Sequence, residues 1–184
     1  MKNRTFQRML AALAAIFLSV TALDAREGGE GQWYWGTFHS PKGFGASLEI
    51  DEETSHFISL SAYADLHYVY FGDASTPGFR ASYLYNIVLH EHMAPEGMRC
   101  QLFIGPGVTA GYGRDRDMRK GFIGGRACAA GARFTFPSRF SVTVGLQADF
   151  AAHVDIDQGG TKIGLFEDGL QRSYYPQLTI HYHF

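Results

Sequence analysis

The chain has 184 residues, and its 18 acidic and 16 basic side chains give a formal net charge of −2 at pH 7. That length suits one domain, and the acidic balance argues against a nucleic-acid-binding protein. Aromatic residues make up 15% of the chain, with 15 Phe and 10 Tyr, and this composition favours β-sheet structure.

The N-terminal segment 1–25 has the pattern of a secretory signal peptide. Basic residues precede an apolar run over 9–23, which is shorter than the roughly 20 residues of a membrane-spanning helix. Small residues follow and end in Ala25, so we expect cleavage there and a mature domain over 26–184. Cleavage removes three cations and one acid, which changes the net charge from −2 to −4. The alternative is that the segment is retained as a helical anchor.

The mature chain alternates apolar and polar residues with the period of a β-strand. No later segment reaches 18 uninterrupted apolar residues, so the mature chain is either soluble or crosses a membrane as a closed barrel. Eight strands are expected, in chain order, over 32–39, 43–51, 55–70, 78–91, 98–112, 121–136, 139–153 and 173–184. In the sixth, Arg126 and Arg133 fall on opposite faces, which indicates a bulge or a short apolar belt.

The connections between the strands support an even-numbered barrel. Short turns at 52–54 and 137–138 lie on one side, which in transmembrane barrels faces the periplasm. The longer connections lie on the other, external side, at 71–77, 113–120 and 154–172. The exceptions are a short external turn at 40–42 and a six-residue turn at 92–97. An eight-stranded barrel is filled by side chains, so no open pore is expected.

The last strand keeps its alternation to the final residue. Chain termini usually fray and are polar, whereas a strand between lipid and a polar lumen has one apolar and one polar face. The side chains expected to face lipid on this strand are Leu178, Ile180, Tyr182 and Phe184.

Together, the leader, the strand pattern, the loop asymmetry and the terminal Phe184 resemble the small, porin-like eight-stranded barrels of Gram-negative outer membranes, such as the membrane domain of outer-membrane protein A. The resemblance implies an all-β, antiparallel, up-and-down transmembrane barrel with a filled lumen. It also implies a monomer in outer-membrane lipid and lipopolysaccharide, with a C-terminal strand that the barrel assembly machinery reads. The role it implies is non-enzymatic, structural or surface-interacting, through the external loops.

Charged residues on the inward faces must pair, because a lone charge in a narrow lumen is costly. We expect a structural salt-bridge network, with a proton or ion path as the alternative. The residues of this predicted network are Glu49, Asp65, Arg80, Arg99, Arg126 and Asp149.

Two loops are candidate contact sites on the external side. Cations in the charged stretch 114–120 could contact lipopolysaccharide phosphates, or simply form a solvated hairpin tip. They are Arg114, Arg116, Arg119 and Lys120. The long connection 154–172 is the best candidate for specific binding, since loops on rigid scaffolds carry function. Its four acids are too dispersed to indicate a calcium site.

The cysteines and histidines carry weaker signals. Alternation places Cys100 outward and Cys128 inward, which forbids a disulfide unless a bulge reverses one of them. His181 and His183 share the inward face, and His67 and His90 are candidate neighbours. No third ligand has a diagnostic spacing, so no metal or cofactor is expected.

Two other functions remain open from the sequence. One is a lipid A-modifying barrel enzyme, for which Ser59, Ser61, Ser82 and His67 supply polar groups without a recognisable signature, so no catalytic residue is predicted. The other is a soluble, lipocalin-like periplasmic carrier of an apolar ligand. A carrier requires apolar residues inside and polar residues outside, which is the reverse of a membrane barrel.

Overall fold

The computed structural model describes residues 32–53, 55–72, 76–115, 118–157, 160–167 and 173–183. The expected signal peptide over 1–25 lies outside these residues and stays a prediction. Among the helices of the described residues, none has the length and apolarity needed to cross a membrane.

In the described part of the chain, nine strands and one short helix make up the regular structure. The first half contains β1 (Gln32–Ser40), β2 (Gly43–Glu53), β3 (His56–Asp65), α1 (His67–Tyr70) and β4 (Gly78–Met93). The second half contains β5 (Arg99–Asp115), β6 (Met118–Phe136), β7 (Phe140–Asp157), β8 (Gly160–Leu165) and β9 (Tyr174–His183).

Eight of these strands close into an antiparallel barrel, which confirms the predicted architecture. Strands β1 to β7 pair in chain order, β7 pairs with β9, and β9 pairs with β1. Closure satisfies the backbone hydrogen bonds that an open sheet leaves at its edges. The ninth strand, β8, was not predicted and lies inside the connection 154–172.

β8 and β9 share one neighbour. β9 pairs with β7 from Phe140 to Ala148, and β8 pairs with β7 from Ala152 to Asp157. Both run antiparallel to β7, so together they form one long partner for it, interrupted between Leu165 and Tyr174. The chain leaves the sheet at this interruption.

The barrel has two rims. The upper rim carries the turn 41–42, helix α1, the ends of β5 and β6 at Asp115 and Met118, and the ends of β7 and β8 at Asp157 and Gly160. The lower rim carries the connections 54–55, 94–98 and 137–139, and both β1 and β9 have their terminal ends there. β5 and β6 continue to Asp115 and from Met118, so the predicted loop 113–120 is mostly strand.

The third strand is shorter than predicted. It ends at Asp65, whereas alternation extended it to residue 70, and α1 takes up the difference. The Asp65 carboxylate accepts a hydrogen bond from the His67 backbone N–H at 3.1 Å, and the Leu66 N–H donates to the Lys42 carbonyl at 2.7 Å. Side-chain bonding of Asp to the backbone two residues on is a turn signal that alternation does not register.

The outer face of the strands is mainly apolar, whereas the inner face carries most of the buried polar side chains together with a few apolar ones, among them Phe57, Leu84 and Phe103. Leu146 is 59% exposed, while its neighbour Gln147 is 1% exposed. Leu178 is 37% exposed, while Thr179 is 7% exposed. This is the orientation predicted for a membrane barrel, and it is the opposite of what a lipocalin-like carrier needs.

β6 keeps one register with both neighbouring strands from Phe122 to Thr135, so the first alternative predicted there, a bulge between Arg126 and Arg133, is wrong, and the second, a short apolar belt, stays a prediction. Its pairing with β5 is continuous from Lys120 to Thr135. Arg126 and Cys128, both predicted to face inward, are exposed, whereas Arg133 is buried inside. The bulge occurs instead in β4, between Val88 and His90.

Candidate functional site

A lower charged cluster fills the interior around Arg133 on β6. The Arg133 side chain is 1% exposed, and its Nε lies 3.1 Å from Glu49 Oε2. It also donates to Asp51, whose other carboxylate oxygen lies 3.2 Å from Arg99. The guanidinium lies over the ring of Tyr34, with its Cζ 5.0 Å from the centroid. Two carboxylates around a buried cation offset the cost of removing its charge from water.

Ser47, His181 and Glu49 contact one another in the order of a hydrolytic triad. His181 Nε2 lies 2.9 Å from Ser47 Oγ, and His181 Nδ1 lies 3.5 Å from Glu49 Oε2. A working triad needs space beside the serine for a substrate carbonyl. Ser47 lines an interior cavity of about 20 Å³, which is the size of a single water molecule and too small for a lipid, and Glu49 also pairs with Arg133. These contacts therefore serve interior packing.

An upper charged cluster surrounds Arg80 on β4. Arg80 and Asp149 are fully buried and form an ion pair. Asp65 Oδ2 lies 3.8 Å from Arg80 Nη1, whereas Asp149 pairs with Arg80 Nη2. Asp149 also accepts hydrogen bonds from Gln147 Nε2 at 2.8 Å and from the Tyr175 hydroxyl at 3.4 Å. Both carboxylate oxygens of Asp149 thus have a partner, as a buried carboxylate requires.

The interior between the two clusters is lined by hydroxyl groups and by the apolar side chains of Phe38, Leu84 and Phe103. The Ser61 and Ser82 hydroxyls lie 2.7 Å apart, and Asn86 donates to Ser59 at 2.7 Å. His67 is on α1 at the upper rim, away from these strand positions. The predicted serine and histidine candidates are therefore not brought together as a nucleophile and its base.

At the upper rim, the two residues that follow β8 turn into the barrel mouth. Phe166 is 0% exposed, and its ring lies over the Arg80 guanidinium at 4.7 Å. Glu167 has a positive φ of 50°, is buried, and forms an ion pair with Lys42. We refer to Phe166 and Glu167 as the mouth segment. It covers the upper charged cluster.

The mouth segment is also held by Asp115 from the end of β5. Both Asp115 carboxylate oxygens lie 3.2 Å from the backbone N–H of Glu167, which donates to them. The Tyr68 hydroxyl on α1 donates to the same carboxylate at 3.4 Å. Burial raises the pKa of the Tyr68 phenol, and the negative charges of Glu167 and Asp115 raise it further. Three separate connections of the upper rim thus meet at one carboxylate.

The predicted interior charges are distributed as follows. Arg99 is half-buried near the lower rim, and Arg126 is exposed on the outer surface, which corrects its predicted inward position. The prediction for Arg126 was wrong because alternation in β6 was anchored on the wrong face; Arg133 takes the interior position instead. The four predicted residues that are buried inside are Glu49, Asp65, Arg80 and Asp149.

The predicted loop cations do not form one patch in the described residues. Arg114 is half-buried at the end of β5, and Lys120 donates to the Thr76 carbonyl at 2.9 Å. Arg116 lies outside the described residues, as does the side chain of Arg119. On the last strand Leu178, Ile180 and Tyr182 are exposed outward, and Phe184 lies outside the described residues.

The histidines and cysteines do not converge. The β4 bulge turns His90 to the exposed surface, and within the described residues no three potential ligands cluster as a metal site would need. Cys100 and Cys128 are free thiols. Cys128 pairs with Pro106, six residues along β5 from Cys100, which is about 20 Å at the rise of a strand. A disulfide needs Cα atoms within about 7 Å, so this pairing is excluded.

Sequence reasoning missed Arg133, Lys42 and the mouth segment. Arg133 was detectable, because strict alternation along β6 assigns it to one face and Arg126 to the other. Lys42 and Glu167 are 125 residues apart, and each looks like a solvated loop charge in the sequence. Only the closed barrel brings them together.

These features define a closed eight-stranded antiparallel β-barrel with a largely apolar exterior and an interior of paired charges, other polar groups and buried apolar clusters. Solved structures similar to it include the N-terminal β-barrel domain of Pseudomonas aeruginosa OprF, with a TM-score of 0.51 at 12% identity, covering 86% of this chain and 100% of that one. A major outer membrane protein from Thermus thermophilus has a TM-score of 0.49 at 12% identity, and the match covers 84% of this chain and 98% of that one.

The likeness to the OprF barrel is a likeness of fold. No protein-family model matches the chain, and no curated protein sequence matches it.

Proposed function

We propose that the mature chain is an integral outer-membrane barrel with a non-enzymatic, structural or surface-interacting role. The observation that carries the proposal is the orientation of the strands, with exposed Leu146 and Leu178 outside and the buried Arg80–Asp149 pair inside. An apolar exterior of this kind is stable in lipid and not in water. The OprF likeness supports the same environment by fold.

The direction of insertion follows from the rims. The lower rim carries the terminal ends of β1 and β9 and no connection longer than 94–98, whereas the upper rim carries the two longest connections, 66–77 and the one from β7 through β8 to β9, so we place the lower rim in the periplasm. The upper rim, with α1, the β7–β8 hairpin and the mouth segment, then faces outward. Arg114, Arg116, Arg119 and Lys120 would meet lipopolysaccharide there, and the C-terminal strand with Phe184 would be read by the assembly machinery. We propose a monomer.

We also propose that the barrel interior is closed to diffusion. The two charged clusters and the interior cavity of about 20 Å³ leave space for single water molecules between the rims. This favours a role at the external surface over transport. The triad-like contact of Ser47 and His181 would serve lipid modification only if a substrate reached it. We therefore expect that neither the unaltered protein nor the Ser47→Ala variant modifies lipid A.

The proposal is tested by membrane fractionation and gel mobility. The full-length chain should appear in the outer-membrane fraction and, after extraction in detergent, migrate differently before and after boiling, as folded barrels do. Leu146→Arg should lower folded stability by about 2–4 kcal/mol, because it places a charge on the lipid face. Thr161→Arg, on the exposed strand β8, is the matched control. A chain that is soluble without detergent would overturn the proposal.

A further inference from the structure

Arg126 is a cation on the apolar outer surface of the barrel. Its side chain is exposed, and its register partners on either side are Val108 and Phe150, which are 55% and 49% exposed. The outward residues before and after it on β6 are Gly124 and Cys128. None of these four neighbours can neutralise a guanidinium. A cation on the lipid face is destabilising in proportion to its depth, so it needs an anionic partner.

The position of Arg126 along β6 decides where that partner lies. Phe122, four residues towards the upper rim, is exposed, and its ring contacts Tyr112 with centroids 5.2 Å apart. Outward aromatic residues at this level are typical of the membrane interface. In the other direction, the next outward aromatic residue on β6 is Phe134, eight residues away. The nearer interface is therefore the upper one, about 10 Å away for a tilted strand.

Space for the Arg126 side chain exists on the upper side. The row of outward residues next above it is Ala110, Gly124 and Ala152, which pair across β5, β6 and β7. A Cβ added to Gly124 would meet nothing within 4 Å. This row is a shallow depression between Arg126 and the aromatic pair. A long arginine side chain can lie along it and bring its guanidinium to the interface.

Resting on the proposed outer-membrane location, we infer that Arg126 binds a phosphate of the phosphorylated glycolipid in the outer leaflet. The planar guanidinium pairs with phosphate through two parallel hydrogen bonds, and the pair is strongest where water is scarce. The acyl chains of the same lipid would lie against the small outward residues below Arg126, which are Cys128, Ala130 and Ala132. The site is thus a lipid site on the barrel wall, separate from the loop cations.

The test uses the purified full barrel in detergent and measures bound lipid by native mass spectrometry. The probe is lipid A with both phosphates, compared with its dephosphorylated form and with phosphatidylglycerol. We expect Arg126→Gln to weaken lipid A binding by about tenfold, as the loss of a charge-assisted hydrogen bond does. Arg139→Gln, an exposed arginine at the lower rim, is the matched control and should bind as the unaltered protein does.

A second variant tests the geometry without touching the charge. Gly124→Phe fills the depression and should weaken lipid A binding, whereas Thr37→Phe, on the exposed outer face of β1 and away from this site, should not reproduce that loss. Equal binding of dephosphorylated lipid A or of phosphatidylglycerol, or an unchanged Arg126→Gln variant, would overturn the inference. Heat-dependent gel mobility of each variant reports folding separately, so failure of lipid binding is distinguishable from failure of the barrel proposal.

Discussion

Asp149 shows what a single interior residue contributes to this barrel. It accepts hydrogen bonds from Gln147 and Tyr175 and pairs with the fully buried Arg80. Removing one partner of a buried ion pair leaves the other charge uncompensated, which costs more than the pair contributed. The interior pairs therefore matter chiefly because neither member can be lost alone.

Asp149→Ala is predicted to lower the free energy of unfolding by about 3 kcal/mol. Asp65, at 3.8 Å, only partly compensates the remaining Arg80 charge. Urea unfolding in phospholipid vesicles, followed by the fluorescence of Trp33 and Trp35, measures the change. The control is the double variant Arg80→Met/Asp149→Leu, which should be more stable than Asp149→Ala. If the double variant loses as much free energy of unfolding as the Arg80→Met and Asp149→Leu single variants lose together, the two residues are not coupled.

Tyr68 gives a prediction about alkaline pH. Burial and the nearby carboxylates of Glu167 and Asp115 raise its pKa above the ordinary value of 10.0. The folded rim therefore favours the neutral phenol, and the stability it contributes is complete below pH 10 and is lost as pH rises through the folded pKa. The difference in phenolate absorbance between the unaltered protein and Tyr68→Phe should appear at a higher pH than the ionisation of free tyrosine. A difference that titrates with free tyrosine would contradict this burial.

The mouth segment is the element with the most concentrated contacts at the upper rim. It depends on Asp115 through its backbone and on Lys42 through the Glu167 side chain. Because the segment interrupts the β8–β9 partner of β7, the sheet itself does not hold it. Its order rests on these rim contacts.

Asp115→Asn is predicted to speed hydrogen exchange in peptides covering 160–167 by about tenfold. The neutral amide is a weaker acceptor for the Glu167 N–H, so local opening becomes easier. Hydrogen exchange mass spectrometry of the folded barrel measures this. Peptides covering 140–148, where β7 pairs with β9, serve as an internal control and should exchange unchanged. Uniform acceleration across both regions would indicate global destabilisation instead of local opening.

Strands could be predicted from the sequence, whereas their ends and interruptions could not. Alternation reports which residues share a face, and it located all eight barrel strands. It contains no information about hydrogen bonds at a strand end, so the Asp65 turn and α1 were missed. The mouth segment depends on contacts between residues 125 apart, such as Lys42 and Glu167, and no local pattern encodes those.

At the scale of the molecule, orientation was predictable and charge pairing was not. The apolar face of each strand indicates the exterior, because lipid and lumen demand opposite chemistry. Which carboxylate meets which cation depends on strand stagger and height, which a single sequence does not contain. Arg133 and Glu49 are an example, since their contact spans the lumen between β6 and β2.

Closure of the whole barrel rests on the pairing of β1 with β9. Thr37 on β1 pairs with Ile180 on β9, and both side chains are exposed outward. Paired residues on adjacent strands have Cβ atoms about 4.5–5.5 Å apart, within reach of a disulfide after small adjustments. In a background with Cys100→Ser and Cys128→Ser, the variant Thr37→Cys/Ile180→Cys is predicted to form an intramolecular disulfide on oxidation.

That disulfide closes a loop of most of the mature chain, so the boiled, non-reduced protein should migrate faster than the reduced one. Thr37→Cys/Val108→Cys is the matched control, because β5 pairs with β4 and β6 and not with β1. The same mobility change in both variants would mean that the cross-link formed in unfolded chains. No cross-link in either would mean that β1 and β9 leave unpaired edges, and an open sheet cannot satisfy its backbone hydrogen bonds in lipid.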